Sequence, residues 1–232
     1  MADTTTPFTA VAHRGDPYRA RENTLPSIRS ALDRGADAVE IDVRVTRDVV
    51  PVLLHDTTLE RLWGHDLRLD RLNHREVQEL TGGGVPTLRE ALDAAGGRRV
   101  MVDLPGSTDA SVKTIVATVL ECGAGDRAYY CAGADAMLRV RAADPAAEIA
   151  LTWNTLAPPR PVLLAAVKPR WLNYRFGLVS RELADRAHRD GFLVSAWTAD
   201  TKRTMRRLIE RGVDSITTNR IDTLHTLRTG KA

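Results

Sequence analysis

Eight short apolar runs recur along this chain, and seven lead directly into a helix-type pattern. The runs are Thr9–His13, Ala38–Val43, Arg99–Leu104, Ala128–Ala132, Glu148–Trp153, Arg170–Tyr174, Phe192–Trp197 and Asp214–Thr218, and they predict strands. Between them, helices are predicted near Thr24–Arg34, Thr87–Ala95, Ser107–Cys122, Asp135–Ala143, Pro161–Val167, Ser180–Arg189, Thr201–Arg211 and Asp222–Arg228. Eight strand–helix units are the count of a closed (β/α)8 TIM barrel, an α/β fold. A chain of 232 residues, 43% of them hydrophobic, is long enough to build one such barrel as a single domain spanning residues 1–232. A doubly wound open sheet is the alternative, but it normally carries a Gly-rich phosphate loop after its first strand, and none is present.

Helix ends support this parse. Asn23 or Thr24 can cap the first helix, Pro26 fits its first turn, and Leu25, Ile28 and Leu32 share a face before Gly35 ends it. Two segments break the alternation. Val45 to Leu54 has no room for a crossover helix, so a tight turn near Arg47-Asp48 is expected to send the chain back antiparallel after the second strand. Residues Asp56 to Pro86, with Trp63-Gly64 and Gly82-Gly83-Gly84, lack a barrel unit and read as a small insertion over the C-terminal mouth.

Charge and composition exclude several classes. The net charge of +3 comes from 33 basic and 30 acidic residues spread along the chain, and aromatics make up 5%. Neither a basic tract nor base-stacking platforms are indicated, so nucleic acid is not an expected partner. No basic region followed by an apolar one opens the chain, and no stretch approaches ~18 consecutive apolar residues. The expectation is a soluble cytoplasmic protein without stable membrane insertion. Cys122 and Cys131 read as buried thiols.

The chemistry concentrates between Thr9 and Asp56. Glu40 and Asp42 sit two apart on a strand and point to one side, while Val39, Ile41 and Val43 point to the other. Two inward carboxylates repel, and either a hard divalent cation or a strand-end ion pair with an arginine would offset that. His13 ends the first strand and His55 ends the returning hairpin arm beside Asp42, which suits an acid and a base near neutral pH. Arg14 can grip a phosphate in a bidentate way or form a surface ion pair, and Gly15 permits close backbone approach. Glu22 can support a metal or a histidine, or stand as a solvated acid. His65, His74, His188 and His225 read as structural.

The motifs HRG, ENT, EIDV, TRD and LLHD, in this order and spacing, resemble the glycerophosphodiester phosphodiesterase family. The likeness continues through DTTLERLWG, VPTLREAL, SAWTAD and GVDSITTN, so it covers nearly the whole chain. The resemblance implies a TIM barrel with an insertion after the second histidine. It implies metal-dependent hydrolysis of glycerophosphodiesters to glycerol 3-phosphate and an alcohol, with His13 and His55 as the acid–base pair. It also implies Arg14 on the phosphate, Trp197 near the glycerol or alcohol, and one divalent cation (Mg²⁺ or Ca²⁺, with Mn²⁺ also suitable) on Glu40, Asp42 and a third-strand acid. The family has Glu-x-Lys on that strand. This chain has Asp103 and Pro105 instead, so the ligand is shorter and the lysine is missing. Arg175, after the sixth predicted strand, is the first expected replacement for that cation, and Arg21 the second. Two further readings follow from the same motifs: a lysophospholipase-D-like or sphingomyelinase-D-like enzyme, and a degenerate barrel that binds phosphodiesters without cleaving them.

Overall fold

The structure, a computed structural model, describes residues 8–230. The expectation of a leaderless N-terminus rests on residues that lie partly outside that range. In chain order the strands are β1 (Thr9–His13), β2 (Ala38–Val45), β3 (Pro51–Leu53), β4 (Thr58–Leu59), β5 (His65–Arg68), β6 (Arg99–Asp103), β7 (Ala128–Ala132), β8 (Ile149–Trp153), β9 (Trp171–Arg175), β10 (Leu193–Trp197) and β11 (Ser215–Thr218). The helices are α1 (Leu25–Asp33), α2 (Glu60–Trp63), α3 (His74–Thr81), α4 (Leu88–Ala95), α5 (Asp109–Glu121), α6 (Ala134–Ala143), α7 (Pro161–Val167), α8 (Arg181–Arg189), α9 (Lys202–Glu210) and α10 (Ile221–Thr229).

Eight strands pair in parallel in the order β1-β11-β10-β9-β8-β7-β6-β2, and β1 pairs with β2 to close the cylinder. This is the TIM barrel expected from the alternating pattern. Alternation along each strand sorts the side chains. Outward residues such as Ala10, Val39, Ile41, Val100, Val102, Val194 and Ile216 form the main core against the helices. Inside, the lower barrel is plugged by a second cluster of Met101, Tyr129, Ala150 and Trp171 with Leu193. Tyr129 stacks on Trp171 at 6.3 Å between ring centres. Glu148 seals that end, accepting from Trp171 Nε1 and Arg99 at 2.6 Å each. The lumen is thus closed at its N-terminal end and opens at the C-terminal mouth.

Helix starts follow local chemistry. Thr24, not Asn23, caps α1, with its hydroxyl oxygen accepting from Ser27 N. Thr87 and Glu90 form a reciprocal capping box at the start of α4. The expected hairpin is present: β3 runs antiparallel to β2, with Val43 opposite Leu53 and Val45 opposite Pro51. Its turn is held by Thr46, whose hydroxyl bonds Asp48 and the amide of Val50, and Val49 takes the left-handed conformation at φ 66°.

Residues 56–86 carry the β4–β5 pair, α2 and α3 over a small apolar cluster of Leu54, Leu59, Leu69, Val77 and Val85. Arg21, in the loop after β1, lies 4.2 Å over the Trp63 ring of this segment. That cation–π contact occupies Arg21 away from the lumen.

Candidate active site

Strand pairing brings the motif residues to one level of the barrel. His13 is in register with Glu40, and Asp42 with Asp103. Glu40, Asp42 and Asp103 each present an oxygen such that the three lie within 4.8 Å of one another. With His13, Arg14, His55 and Trp197 they line one cavity of ≈ 350 Å³ at the mouth.

The carboxylates are short of positive charge. Burial pushes the Glu40 carboxyl well up from its ordinary value, and Asp42 and Asp103 push it further. Burial, then Asp42, pushes Asp103 up to about 6. Protein donors satisfy only part of the cluster. Arg14 N–H donates to Glu40 Oε2 at 2.9 Å, Asn23 Nδ2 to Asp42 Oδ2 at 2.7 Å, and the Cys131 thiol to Asp103 Oδ1 at 3.3 Å. A converging all-oxygen set of three acids, held against its own repulsion, fits a hard divalent cation.

The first loop is built for that arrangement. Asn23, at φ 56°, also accepts from Asp42 N–H at 3.1 Å, so one amide clamps both the backbone and the side chain of Asp42. Asparagine tolerates that left-handed backbone better than most residues. Gly15, at φ 86°, has Ser27 so close that an added Cβ would sit 2.4 Å from its hydroxyl. Its close approach is therefore to α1. Arg14 reaches Glu22 Oε1 at 2.8 Å, and its Nε lies 3.0 Å from Asp42 Oδ2, an ion pair without hydrogen-bond alignment.

Each histidine is oriented from behind. His13 Nδ1 lies 2.8 Å from Asn219 Oδ1. Asn219 Nδ2 donates to Asp200 Oδ2 at 2.8 Å, which turns the amide oxygen toward the histidine. His13 therefore carries its proton on Nδ1 and presents a bare Nε2. Burial, then the charge of Arg14, lowers the His13 pKa. His55 donates from Nδ1 to Asp56 Oδ1 at 2.7 Å, and Asp56 Oδ2 accepts from Arg61 at 2.5 Å.

Arg61 then reaches Glu22 at 2.7 Å, so a continuous ionic chain runs from His55 through Asp56, Arg61 and Glu22 to Arg14. Glu22 accordingly supports the arginines and is not a member of the carboxylate cluster. Burial would raise its pKa, but the hydrogen bonds from Arg61 and Arg14 prevail and hold it low.

Arg175 departs from expectation. It ends β9 where the chain turns into a 3₁₀ segment, it is exposed, and it does not line the cavity. Arg44 stands beside Pro105 and Gly106, next to but not among the residues that line the cavity, and its Nε donates to the His55 carbonyl at 2.8 Å. Its Nη1 would be 3.5 Å from a Cβ added at Gly106. Asn219, Asp200, Arg44 and Arg61 were not singled out from the sequence, and Asn23 reads there only as a helix cap. The ENT, SAWTAD and GVDSITTN motifs and the insertion contain Asn23, Asp200, Asn219 and Arg61, while Arg44 falls between EIDV and TRD. The other histidines are structural in placement, and His188 pairs with Asp214 at 2.7 Å on the outside of the barrel.

Residues 13–223 match the glycerophosphoryl diester phosphodiesterase family. A glycerophosphodiester phosphodiesterase of Caldanaerobacter subterraneus is 27% identical over 92% of this chain and 95% of its own length. A Mycobacterium tuberculosis protein named probable glycerophosphodiester phosphodiesterase 2 is 29% identical over 93% of this chain and 88% of its own. Among solved structures, a glycerophosphodiester phosphodiesterase from Agrobacterium tumefaciens superposes with a TM-score of 0.82 at 22% identity, covering 94% and 99% of the two chains. An Oleispira antarctica phosphodiesterase solved with sn-glycerol-3-phosphate gives 0.81 at 23% identity, covering 95% and 96%. The profile match spans most of the chain and takes in both histidines, the three acids and the strand-end motifs that close the barrel: this chain belongs to the glycerophosphoryl diester phosphodiesterase family.

Proposed function

We propose that this protein hydrolyses glycerophosphodiesters to glycerol 3-phosphate and an alcohol, with Glu40, Asp42 and Asp103 holding one divalent cation. The observation that carries the reading is the meeting of two oriented histidines and three crowded acids in one cavity. A bound Mg²⁺, Ca²⁺ or Mn²⁺ would polarise a phosphoryl oxygen and favour ionisation of the attacking hydroxyl. Arg14, fixed by Glu22, orients the phosphate. His13, neutral and bare at Nε2, accepts the nucleophile's proton. His55, with Nδ1–H fixed by Asp56, delivers a proton from its other ring nitrogen to the departing alkoxide. Trp197 borders the glycerol or alcohol portion. Arg44 offsets phosphate charge on the side where Pro105 stands. The single unit over residues 1–232, with the 56–86 segment as its mouth, is the catalytic body.

A soluble head group suits the mouth, which is bordered by Glu22, Asp56 and Arg61. Among the described residues, no helix is long and apolar enough to cross a membrane. The test is release of choline and glycerol 3-phosphate from glycerophosphocholine, with and without EDTA. Turnover that is lost in chelator and restored by Mg²⁺, Mn²⁺ or Ca²⁺ is expected. No turnover under any metal supports a binding barrel instead, and preference for a lysophospholipid supports a phospholipase-D-like enzyme.

A further inference from the structure

Between Glu148 and Glu182 the chain has no acidic residue, yet it carries Arg160, Lys168, Arg170, Arg175 and Arg181. The middle of this stretch, Leu156 to Val167, reads LAPPRPVLLAAV, and Arg160 is its only polar side chain. A run of that composition is normally buried. Here it leaves the end of β8 at the barrel mouth as a loop and continues into α7. Leu163, Leu164 and Val167 pack on the core, while Val162, Ala165 and Ala166 on the other side of the helix face solvent. Val162 is 75% exposed and Leu156 65%.

The loop is held in that shape. Trp153 Nε1 donates to the Ala157 carbonyl at 2.7 Å, and the Thr155 hydroxyl donates to the same oxygen at 3.2 Å. Its backbone also has little need of water. Pro158, Pro159 and Pro161 have no N–H to satisfy. The Arg160 carbonyl accepts from the amides of Leu163 and Leu164 at 2.9 and 3.1 Å. Such a segment can leave water while stranding few backbone groups.

Charge selects what covers it. Trp153, at the start of the loop, is in register with Tyr174, so exposed Arg175 stands beside the loop. Arg160 is exposed within it. A two-fold pairing of two copies would set these cations against their own images, with no acid in the segment to answer them. Protruding apolar side chains fringed by cations match the boundary between headgroups and acyl chains in an anionic bilayer.

We propose that the β8–α7 segment, led by Leu156 and Val162 and fringed by Arg160 and Arg175, docks the barrel mouth on an anionic lipid surface. The protein lies on that surface and does not span it. On the phosphodiesterase reading above, the mouth then faces the place where removal of both acyl chains from a phospholipid would release its substrate.

Co-sedimentation of the full chain with vesicles tests the docking without any turnover, so the two readings can fail separately. The wild-type protein should bind vesicles of equimolar phosphatidylcholine and phosphatidylglycerol at least ~10-fold more tightly than phosphatidylcholine alone, and the difference should shrink in ~0.5 M NaCl. Leu156→Asp with Val162→Asp, at two solvent-facing positions, should weaken binding to the anionic vesicles by ~10-fold or more. Arg160→Glu with Arg175→Glu should abolish the preference for them. Arg206→Glu with Arg207→Glu, on the exposed face of α9, is the comparison and should keep about half or more of the binding. A wild-type protein that binds neither vesicle overturns the proposal. So does an equal loss in the α9 pair, which would reduce the effect to net charge. A dimer that Leu156→Asp with Val162→Asp dissolves, in a protein indifferent to vesicles, would assign the face to a second copy and overturn it as well. The wild-type comparison decides the matter even where a variant fails to fold.

Discussion

Asn219 Oδ1 lies 2.8 Å from His13 Nδ1, and the direction of that contact is set by Asp200, which takes a hydrogen bond from the other end of the same amide. Loss of the amide frees the ring to turn and to change tautomer. Asn219→Ala should lower kcat by ~10- to 100-fold, a part of the full contribution of an acid–base residue, with KM nearly unchanged. The His13 pKa is lowered by burial and then by Arg14. The acid limb of kcat/KM should therefore lie below the ordinary histidine value. Arg14→Gln should move it upward, since removing a neighbouring positive charge favours imidazolium. An unmoved limb would separate His13 from the rate profile.

Replacing either histidine proposed to transfer a proton should be severe. His13→Ala and His55→Ala should each cut kcat by at least ~10²-fold in a folded protein. His188, bonded to Asp214 on the outside of the barrel, is the comparison. If His188→Ala proved as damaging, the mouth would have been misplaced.

Removal of divalent cations should expose the strain in the acidic cluster. Asp103 has a folded pKa of about 6 against an ordinary 3.8, and Glu40 is also raised. A carboxyl whose pKa is raised on folding adds stability below its unfolded value and loses it as pH climbs through the folded one. In EDTA, the melting temperature should fall between roughly pH 4 and pH 6 from this source. Added Mg²⁺ or Ca²⁺ should restore it most at neutral pH, above the Asp103 value of about 6. A flat melting profile in EDTA, with no response to either cation, would remove the metal from the site.

The barrel and the acids were legible because period-two alternation carries both. The rule that sends Val39 and Ile41 outward to the helices sends Glu40 and Asp42 inward, so strand prediction and site prediction share one pattern. The orienting shell was not legible by the same means. Asn219 and Asp200 lie on different loops past two strand ends, and a carboxamide shows no chemistry until its partner is known. Arg175 illustrates the limit of position along a strand. It stands two residues beyond inward Asn173, but the turn into the 3₁₀ segment releases it to solvent. Arg44 fits the strand's inward periodicity two residues after Asp42. Its contact with the His55 carbonyl depends on how the hairpin folds back.

The missing lysine gives a paired test. Arg44→Met should reduce turnover by ~10-fold or more, the loss expected for one charge-assisted contact to phosphate. Arg175→Ala should change it by less than ~2-fold, as for an exposed residue with no partner at the site. Pro105→Lys should partly rescue Arg44→Met if the two cations serve the same oxygen. Failure of that rescue in a folded double variant would assign Arg44 to holding the His55 backbone.

Val49 occupies a left-handed backbone position in the β2–β3 turn at φ 66° and is 55% exposed. A β-branched residue is strained there and contributes little packing. Val49→Gly should raise stability by about 1 kcal/mol, net of glycine's greater freedom when unfolded, and the melting temperature by about 2–4 °C. A lower melting temperature would show that the valine's contacts outweigh its backbone cost.

The pairing of β1 with β11 has a consequence for how the protein is made. His13 is among the first site residues to be synthesised, while its orienting partner Asn219 follows 206 residues later. The acids of β2 and β6 and the His55 hairpin are all present before the last strand leaves the ribosome, so a growing chain can gather its three acids but cannot fix the proton on His13. Competence arrives in one step, when the final strand docks beside the first and the cylinder closes. A chain arrested before Ser215, where β11 begins, should therefore remain catalytically silent, because the cylinder cannot close without that strand.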